Sequence, residues 1–234
     1  MNFVSGDNKK KTPVKLISSH DEAGNVRTFV FETGGLTWIA GQNQGWVLPH
    51  EGEINDDNEH WFTVSSAPSE GTMNVSTRVS DSKYKQHLNS LKPGDNIEVY
   101  EMGGDFTWED EPSETIVMVA AGIGITPFRS IFVERDHQSK KLNGTLLYFN
   151  RNNDVPFKAL LDDLAKKHPE FKVQVIVGER ITADRILELA PQAKDQTVYL
   201  SGAKPMVLAL AEELEKKGVK TKQDRFPGYD ETNY

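Results

Sequence analysis

The hydrophobic pattern changes rhythm near the middle of the chain. In the first half, apolar positions fall in short runs rich in β-branched and aromatic residues, punctuated by Gly, Pro, Asn and Asp. This spacing predicts strands at Val14–Ser18, Asn25–Phe31, Thr37–Ala40, Gly45–Leu48, Trp61–Ser66, Met73–Val79 and Asn96–Tyr100. A short helix at Lys83–Leu91 interrupts them, and the acidic stretch Glu51–Glu59 reads as a solvated loop. Many short strands at such spacing make a small antiparallel barrel or sandwich.

Beyond the acidic, proline-bearing joint Glu109–Glu114 the pattern alternates strand with helix. Ile116–Ala121 is a continuous apolar run, as a strand buried on both faces requires. Thr126 and Pro127 have the chemistry of a helix cap and first helical residue. A second strand, Thr145–Phe149, precedes a helix opened by Pro156, with Phe157, Leu160, Leu161 and Leu164 on one face. Strands follow at Val173–Val177 and Thr197–Leu200, separated by a short helix capped by Thr182. A final helix at Pro205–Lys217 stops at Gly218. Strand–helix alternation means a parallel sheet with ligands at the strands' C-terminal ends. The expected division is therefore a barrel over residues 1–111 and an α/β domain over 112–234.

Composition narrows the chemistry. A net charge of −8 argues against general nucleic-acid binding, which needs concentrated Lys and Arg. The absence of cysteine removes disulfides, thiolate-ligated metals and thiol nucleophiles. No His-x-x-x-His pair occurs, so no metal site is expected. No apolar run approaches the roughly 20 residues of a membrane span, and the first residues lack a signal-peptide core, so a cytoplasmic location is expected.

The turn Ala121-Gly122-Ile123-Gly124-Ile125-Thr126-Pro127 joins the first buried strand to a helix. Glycines admit an anion close to the backbone, and a helix N-terminus offers free N–H groups and partial positive charge. The third glycine of G-x-G-x-x-G is missing, so the residues alone fit either a phosphate cradle or a plain tight turn.

Seven segments in order resemble the ferredoxin–NADP reductase superfamily across the whole chain. Gly41-Gln42 stands at the A-G-Q position and His60-Trp61-Phe62-Thr63 at R-x-Y-S/T, followed by Val64-Ser65-Ser66-Ala67-Pro68. Leu91-Lys92-Pro93-Gly94-Asp95 is similar to L-x-x-G-D, and Gly103-Gly104-Asp105-Phe106 to G-P-x-G-x-F. Gly122–Pro127 matches G-I-G-I-T-P, Ser201–Met206 is similar to C/S-G-P-x-x-M, and Asp224-Arg225-Phe226 to the late E-x-F.

The resemblance implies a flavin-binding Greek-key β-barrel followed by an NAD(P)-binding domain, with hydride passing from NAD(P)H to FAD and electrons then to a separate carrier protein. It places the strand His60, Trp61, Phe62, Thr63 against the flavin, with Phe62 on the ring and the Thr63 hydroxyl beside N5. His60 replaces the family's phosphate-binding arginine, and imidazole cannot make the bidentate pair. Lys85 and Arg78 are the candidates to supply that charge to FAD. Gly122, Gly124 and Thr126 are implied to carry the nicotinamide coenzyme's pyrophosphate, and Gly202 to leave room for its ring. Asp224 and Phe226 would close the pocket, with Tyr229 or Tyr234 as alternative aromatic covers. Arg151 and Arg180 could meet a 2′-phosphate, a ribose or solvent. Use of free flavin as a substrate, or a non-catalytic role, are the alternatives.

Overall fold

The computed structural model describes residues 10–48, 59–108 and 115–226. The expected acidic loop (apart from Glu59), the joint 109–114 and the tyrosines at 229 and 234 lie outside them. The first half is one curled antiparallel sheet. Its strands are β1 (Thr12–Ala23), β2 (Val26–Phe31), β3 (Asn43–Val47), β4 (Glu59–Thr63), β5 (Met73–Arg78) and β6 (Asn96–Gly103). Their order, β4-β3-β6-β1-β2-β5, inserts the last strand between β3 and β1, as in a Greek key. Beyond β4 the chain crosses to the other edge, where the Ser65 N–H donates to the Asn74 carbonyl at 2.8 Å. Helix α1 (Lys83–Ser90) lays Tyr84 and Leu88 over a core of Phe29, Phe31, Trp46 and Val99.

The second half is a parallel five-stranded sheet. It holds β7 (Ile116–Ala121), β8 (Gly144–Asn150), β9 (Phe171–Val177), β10 (Val198–Ala203) and β11 (Thr221–Phe226) in the order β11-β10-β7-β8-β9. The chain winds outward from β7 to β9 and then crosses to β10, so the switch point lies between β7 and β10. Alternate residues of β7 enter different cores. Ile116, Met118 and Ala120 pack beneath α2 (Thr126–His137) and α3 (Lys158–Lys167). Val117 and Val119 pack beneath α4 (Ala183–Leu189) and α5 (Lys204–Lys216).

The α2–α3 core also takes Ala40, Phe106 and Trp108 from the first half of the chain. The Phe106 ring lies 5.4 Å from Phe128 and 5.2 Å from Tyr199, both edge-on. Helix α2 clamps the segment that follows β4. Arg129 donates to both oxygens of Glu70 at 2.6 and 2.9 Å and to the Ser65 carbonyl at 2.8 Å. The Ser130 hydroxyl donates to the Ser66 carbonyl at 2.6 Å, and Glu134 accepts from the Ser69 N–H at 2.9 Å. Burial acts to raise the Glu70 carboxyl, but hydrogen bonding and charge from Arg129 outweigh it and hold the group below the usual carboxylate range.

Four local expectations need correction. Thr37–Ala40 is not a strand. Its backbone turns around Gln42, whose Oε1 accepts from the Ile39 N–H at 2.8 Å, while the Trp38 indole donates to the Ser66 carbonyl at 3.2 Å. The strand through Trp61 ends at Thr63, where the chain leaves the sheet to meet α2. Thr126 is the first residue of α2 and not its cap, because a 3₁₀ turn, Gly122–Ile125, runs directly into the helix. The helix expected from Pro156 starts at Lys158, since Phe157 takes the left-handed conformation (φ 59°) and lies 5.4 Å beneath the Arg129 guanidinium. Strand β11 escaped notice because Thr221–Phe226 is a polar edge strand with little alternation.

The clamp yields a stability prediction. Arg129→Ala and Glu70→Ala should each cost about 1–3 kcal/mol, since each leaves a partly buried charge without its partner. The double variant should melt close to the worse single variant. Strictly additive losses in the thermal double-mutant cycle would mean the pair is uncoupled.

Candidate active site

Three groups of residues converge where the two sheets meet. The first is centred on Thr63, buried at the end of β4, and Asp224, buried in β11. Parallel pairing sets Ser201 of β10 beside Asp224, and its hydroxyl donates to Asp224 Oδ2 at 3.3 Å. The Thr63 side chain hydrogen-bonds the same carboxyl from the other half of the chain. Burial pushes the Asp224 carboxyl up to about 7 against those two hydrogen bonds, and the nearby charge of Asp105 adds to the rise. In sequence Ser201 is only one residue of a turn motif; its pairing with Asp224 depends on strand register.

The second group is aromatic. His60 and Phe62 share one face of β4, their rings 5.9 Å apart and nearly parallel. Tyr84 of α1 lies 4.2 Å from His60 and 5.9 Å from Phe62. Phe62 is half-buried against the barrel core, leaving part of its ring accessible. Trp61 points the other way, 39% exposed and edge-on to Tyr100 at 5.6 Å. Next to Tyr84, Lys85 is buried, so it is not a solvated surface charge. Its N–H donates to the Ser82 hydroxyl at 3.3 Å, which caps α1.

The third group lines a cavity of about 730 Å³ at the C-terminal ends of β7–β10. Gly122, Arg78, Arg151 and Arg180 all border it, together with Asn150 and Glu179, which the sequence reading did not single out. Gly122 has φ 52°, a conformation that glycine adopts without strain. Gly124 packs on β10, where any side chain would run into the Ser201 carbonyl and Gly202. The turn is thus tied to the strand carrying Ser201 and Gly202, whether or not an anion occupies it. The Thr126 hydroxyl donates to the Ile123 carbonyl at 3.1 Å and braces the turn. Arg151 and Arg180 are exposed at the rim, and Glu179 beside them is held by Arg185 at 2.9 Å. Phe226, half-buried, is the last residue of β11. Arg78, expected at FAD, borders this cavity from the barrel side.

Comparison with known proteins agrees with this geometry. Residues 118–212 match the oxidoreductase NAD-binding domain family. The chain is 30% identical over 202 residues to the flavohemoprotein of Candida albicans, covering 79% of this chain and 50% of that protein. It is also 30% identical over 133 residues to NADH-cytochrome b5 reductase 1 of Dictyostelium discoideum, covering 52% of this chain and 46% of the relative. The chain spans about half the length of the curated flavohemoproteins it matches. A ferredoxin NADP⁺ reductase from Neisseria gonorrhoeae, solved with bound FAD and NADP, superposes with a TM-score of 0.78 at 18% identity. The match covers 92% of this chain and 98% of that one, and it establishes the fold. No helix among the described residues is long and apolar enough to cross a membrane.

The buried carboxyl gives a pH prediction. An aspartate in an unfolded chain titrates near 3.9, while Asp224 in the folded protein titrates near 7. Between these values the folded state holds more protons, so stability of the flavin-free protein should fall as pH rises from about 4 to 7 and level off above. Asp224→Asn should flatten that decline. Equal slopes in the two proteins' melting temperatures would mean Asp224 is ionised in the ordinary range.

Proposed function

The chain belongs to the ferredoxin–NADP reductase-like superfamily, and on that premise we propose that it is a flavin-dependent NAD(P)H oxidoreductase delivering electrons to a separate acceptor. The observation that carries the reading is the meeting of Thr63 with Asp224, with one strand, β10, between Asp224 and the strand that ends in the glycine turn. A partly exposed aromatic face, a hydroxyl on a buried carboxyl and a glycine turn are thereby gathered at one switch point.

These residues suit FAD. Phe62 offers a flat apolar surface to a ring system, and Lys85 with the N–H groups at the start of α1 would counter its phosphates. When bound, the flavin supplies an acceptor for hydride and a donor of one or two electrons. The chain's own work is placement and proton control. Thr63 Oγ1 can donate or accept, and Asp224, protonated in part near neutral pH, keeps a proton in reach of that hydroxyl. The turn Gly122–Ile125 and Gly202 would hold the nicotinamide coenzyme on the side of the cleft that carries Phe62 and Thr63. Arg151 and Arg180 suit a 2′-phosphate, while Glu179 suits a ribose diol. Among relatives named for heme proteins, a heme-bearing electron carrier is the acceptor class we favour.

A second reading, a reductase that takes free flavin as substrate, is favoured by His60. Its ring packs on Tyr84 where an arginine would have gripped the phosphates. Weak retention of flavin through purification would support it.

The protein supplied with FAD should lose its flavin absorbance on anaerobic mixing with reduced nicotinamide. Thr63→Ala should slow that bleaching about 30- to 150-fold, the equivalent of roughly 2–3 kcal/mol lost at the transition state. A rate within threefold of the unmutated protein would remove Thr63 from the mechanism. Lys85→Ala should weaken FAD binding about 10- to 150-fold and leave riboflavin, which has no phosphate, nearly unaffected. Parallel losses for both ligands in calorimetric titration would make the lysine structural.

A further inference from the structure

Trp46 of β3 and Val99 of β6 enter the barrel core, so their neighbours in the two strands face the other way. On that outer face, Val47 pairs with Glu59 of β4 and with Glu98 of β6, and two residues along Gly45 pairs with Trp61 and Tyr100. The Tyr100 ring lies across Gly45, where any side chain would collide with it. Trp61 stands edge-on to that ring and stays exposed, while the Tyr100 hydroxyl donates to Glu59 Oε2 at 3.1 Å. Glu101 is the extra residue of a β-bulge between Tyr100 and Met102. It is exposed, has φ 44°, and its charge is felt at Tyr100. A side chain with a Cβ adopts that conformation at a cost, and bulges re-aim the residue they carry.

The charge around Trp61 is acidic in balance. Lys11 meets Glu98 at 3.9 Å, an exposed pair of little strength. Residues 49–59, which lead into β4, and 98–114 together hold twelve acidic residues and neither Lys nor Arg. They carry more negative charge than the net −8 of the whole chain, so the remainder of the protein is net positive. Thr63 lies two residues beyond Trp61 on the same side of β4, about 7 Å along the strand. The face therefore adjoins the strand end that meets Asp224.

An exposed indole in an acidic field restricts what can cover it. A second copy of the chain would set acid against acid, and an anionic membrane or a nucleic acid is repelled by the same charges. A protein with a basic rim around an apolar spot is attracted at the rim and sheds water over the indole at the centre. Resting on the reading of the chain as a flavin-dependent reductase, we propose that the face of Trp61, Glu59 and Glu101 docks a basic electron-carrier protein. The carrier would be held beside the strand proposed to meet the flavin.

The test uses the oxidised protein supplied with FAD, titrated calorimetrically at low salt without reduced coenzyme. Two oxidised heme proteins serve as probes, a basic c-type cytochrome and an acidic b-type cytochrome. The basic probe should bind about tenfold or more tighter than the acidic one, and added salt should erase most of the difference. Glu59→Gln combined with Glu101→Gln removes two charges yet leaves Tyr100 an acceptor. It should weaken the basic probe about fivefold or more, while reduced nicotinamide bleaches the flavin at an unchanged rate. Trp61→Ala should weaken the same probe about tenfold or more and leave FAD affinity within about threefold. The docking face is overturned if the basic probe does not bind, if the acidic one binds as well, or if the double glutamine variant stays within twofold of the unmutated protein. A dimer of the unmutated protein that Trp61→Ala splits in sedimentation would likewise assign the face to a second copy. None of these outcomes touches the reductase reading, which falls separately if reduced nicotinamide fails to bleach the flavin.

Discussion

The docking of α2 onto the segment after β4 is the constraint on which the candidate site depends. The N-terminal end of α2 continues the glycine turn, and its middle holds Ser65, Ser66, Ser69 and Glu70 through Arg129, Ser130 and Glu134. The segment so held begins immediately after Phe62 and Thr63. One rigid helix thus fixes the distance between the place for a coenzyme's phosphates and the strand proposed to face a flavin. Hydride transfer between two bound rings tolerates little misplacement. A direct tie between the two binding elements is therefore worth more than the same bonds elsewhere.

The tie is polar because the surfaces it joins are strand ends and a helix flank that carry unpaired backbone groups. The Ser65 carbonyl and the N–H groups of Ala67 and Ser69 find their partners in Arg129, Glu70 and Glu134, and the Ser66 carbonyl accepts from both Ser130 and the Trp38 indole. The apolar part of the interface comes from Phe106 and Trp108, which leave the barrel and enter the α2–α3 core. The two halves are therefore one packed body in this region.

Within that cleft the usual rules of burial are broken at a few positions. Asp224 is fully buried with two hydroxyl partners and no cation among its interactions, which drives its carboxyl towards neutrality. Arg78, at the border of the cavity, keeps its Nε without a partner among the described residues. The two cores beside β7 are apolar and alternate cleanly along that strand, while the barrel also holds unpartnered buried atoms at Arg27 Nε, Gln44 Oε1, Trp46 Nε1 and Asn74 Oδ1.

Much of the architecture was legible in the chain itself. The unbroken apolar run Ile116–Ala121, the short punctuated β-rich runs of the first half and the strand–helix alternation of the second determine a barrel followed by a parallel sheet, because period and composition act locally. The ordered motifs also named Thr63, Gly122 and Asp224 as site candidates. What sequence could not supply was anything set by register or by contact between distant segments. Thr37–Ala40 has strand composition but spends its backbone bonds on Gln42. Phe157 has helix periodicity but is turned left-handed beneath Arg129. Ser201 faces Asp224 only because β10 and β11 pair at that register. Period and propensity are properties of neighbours along the chain, whereas the partner of a buried polar atom is chosen by whatever the fold brings to it.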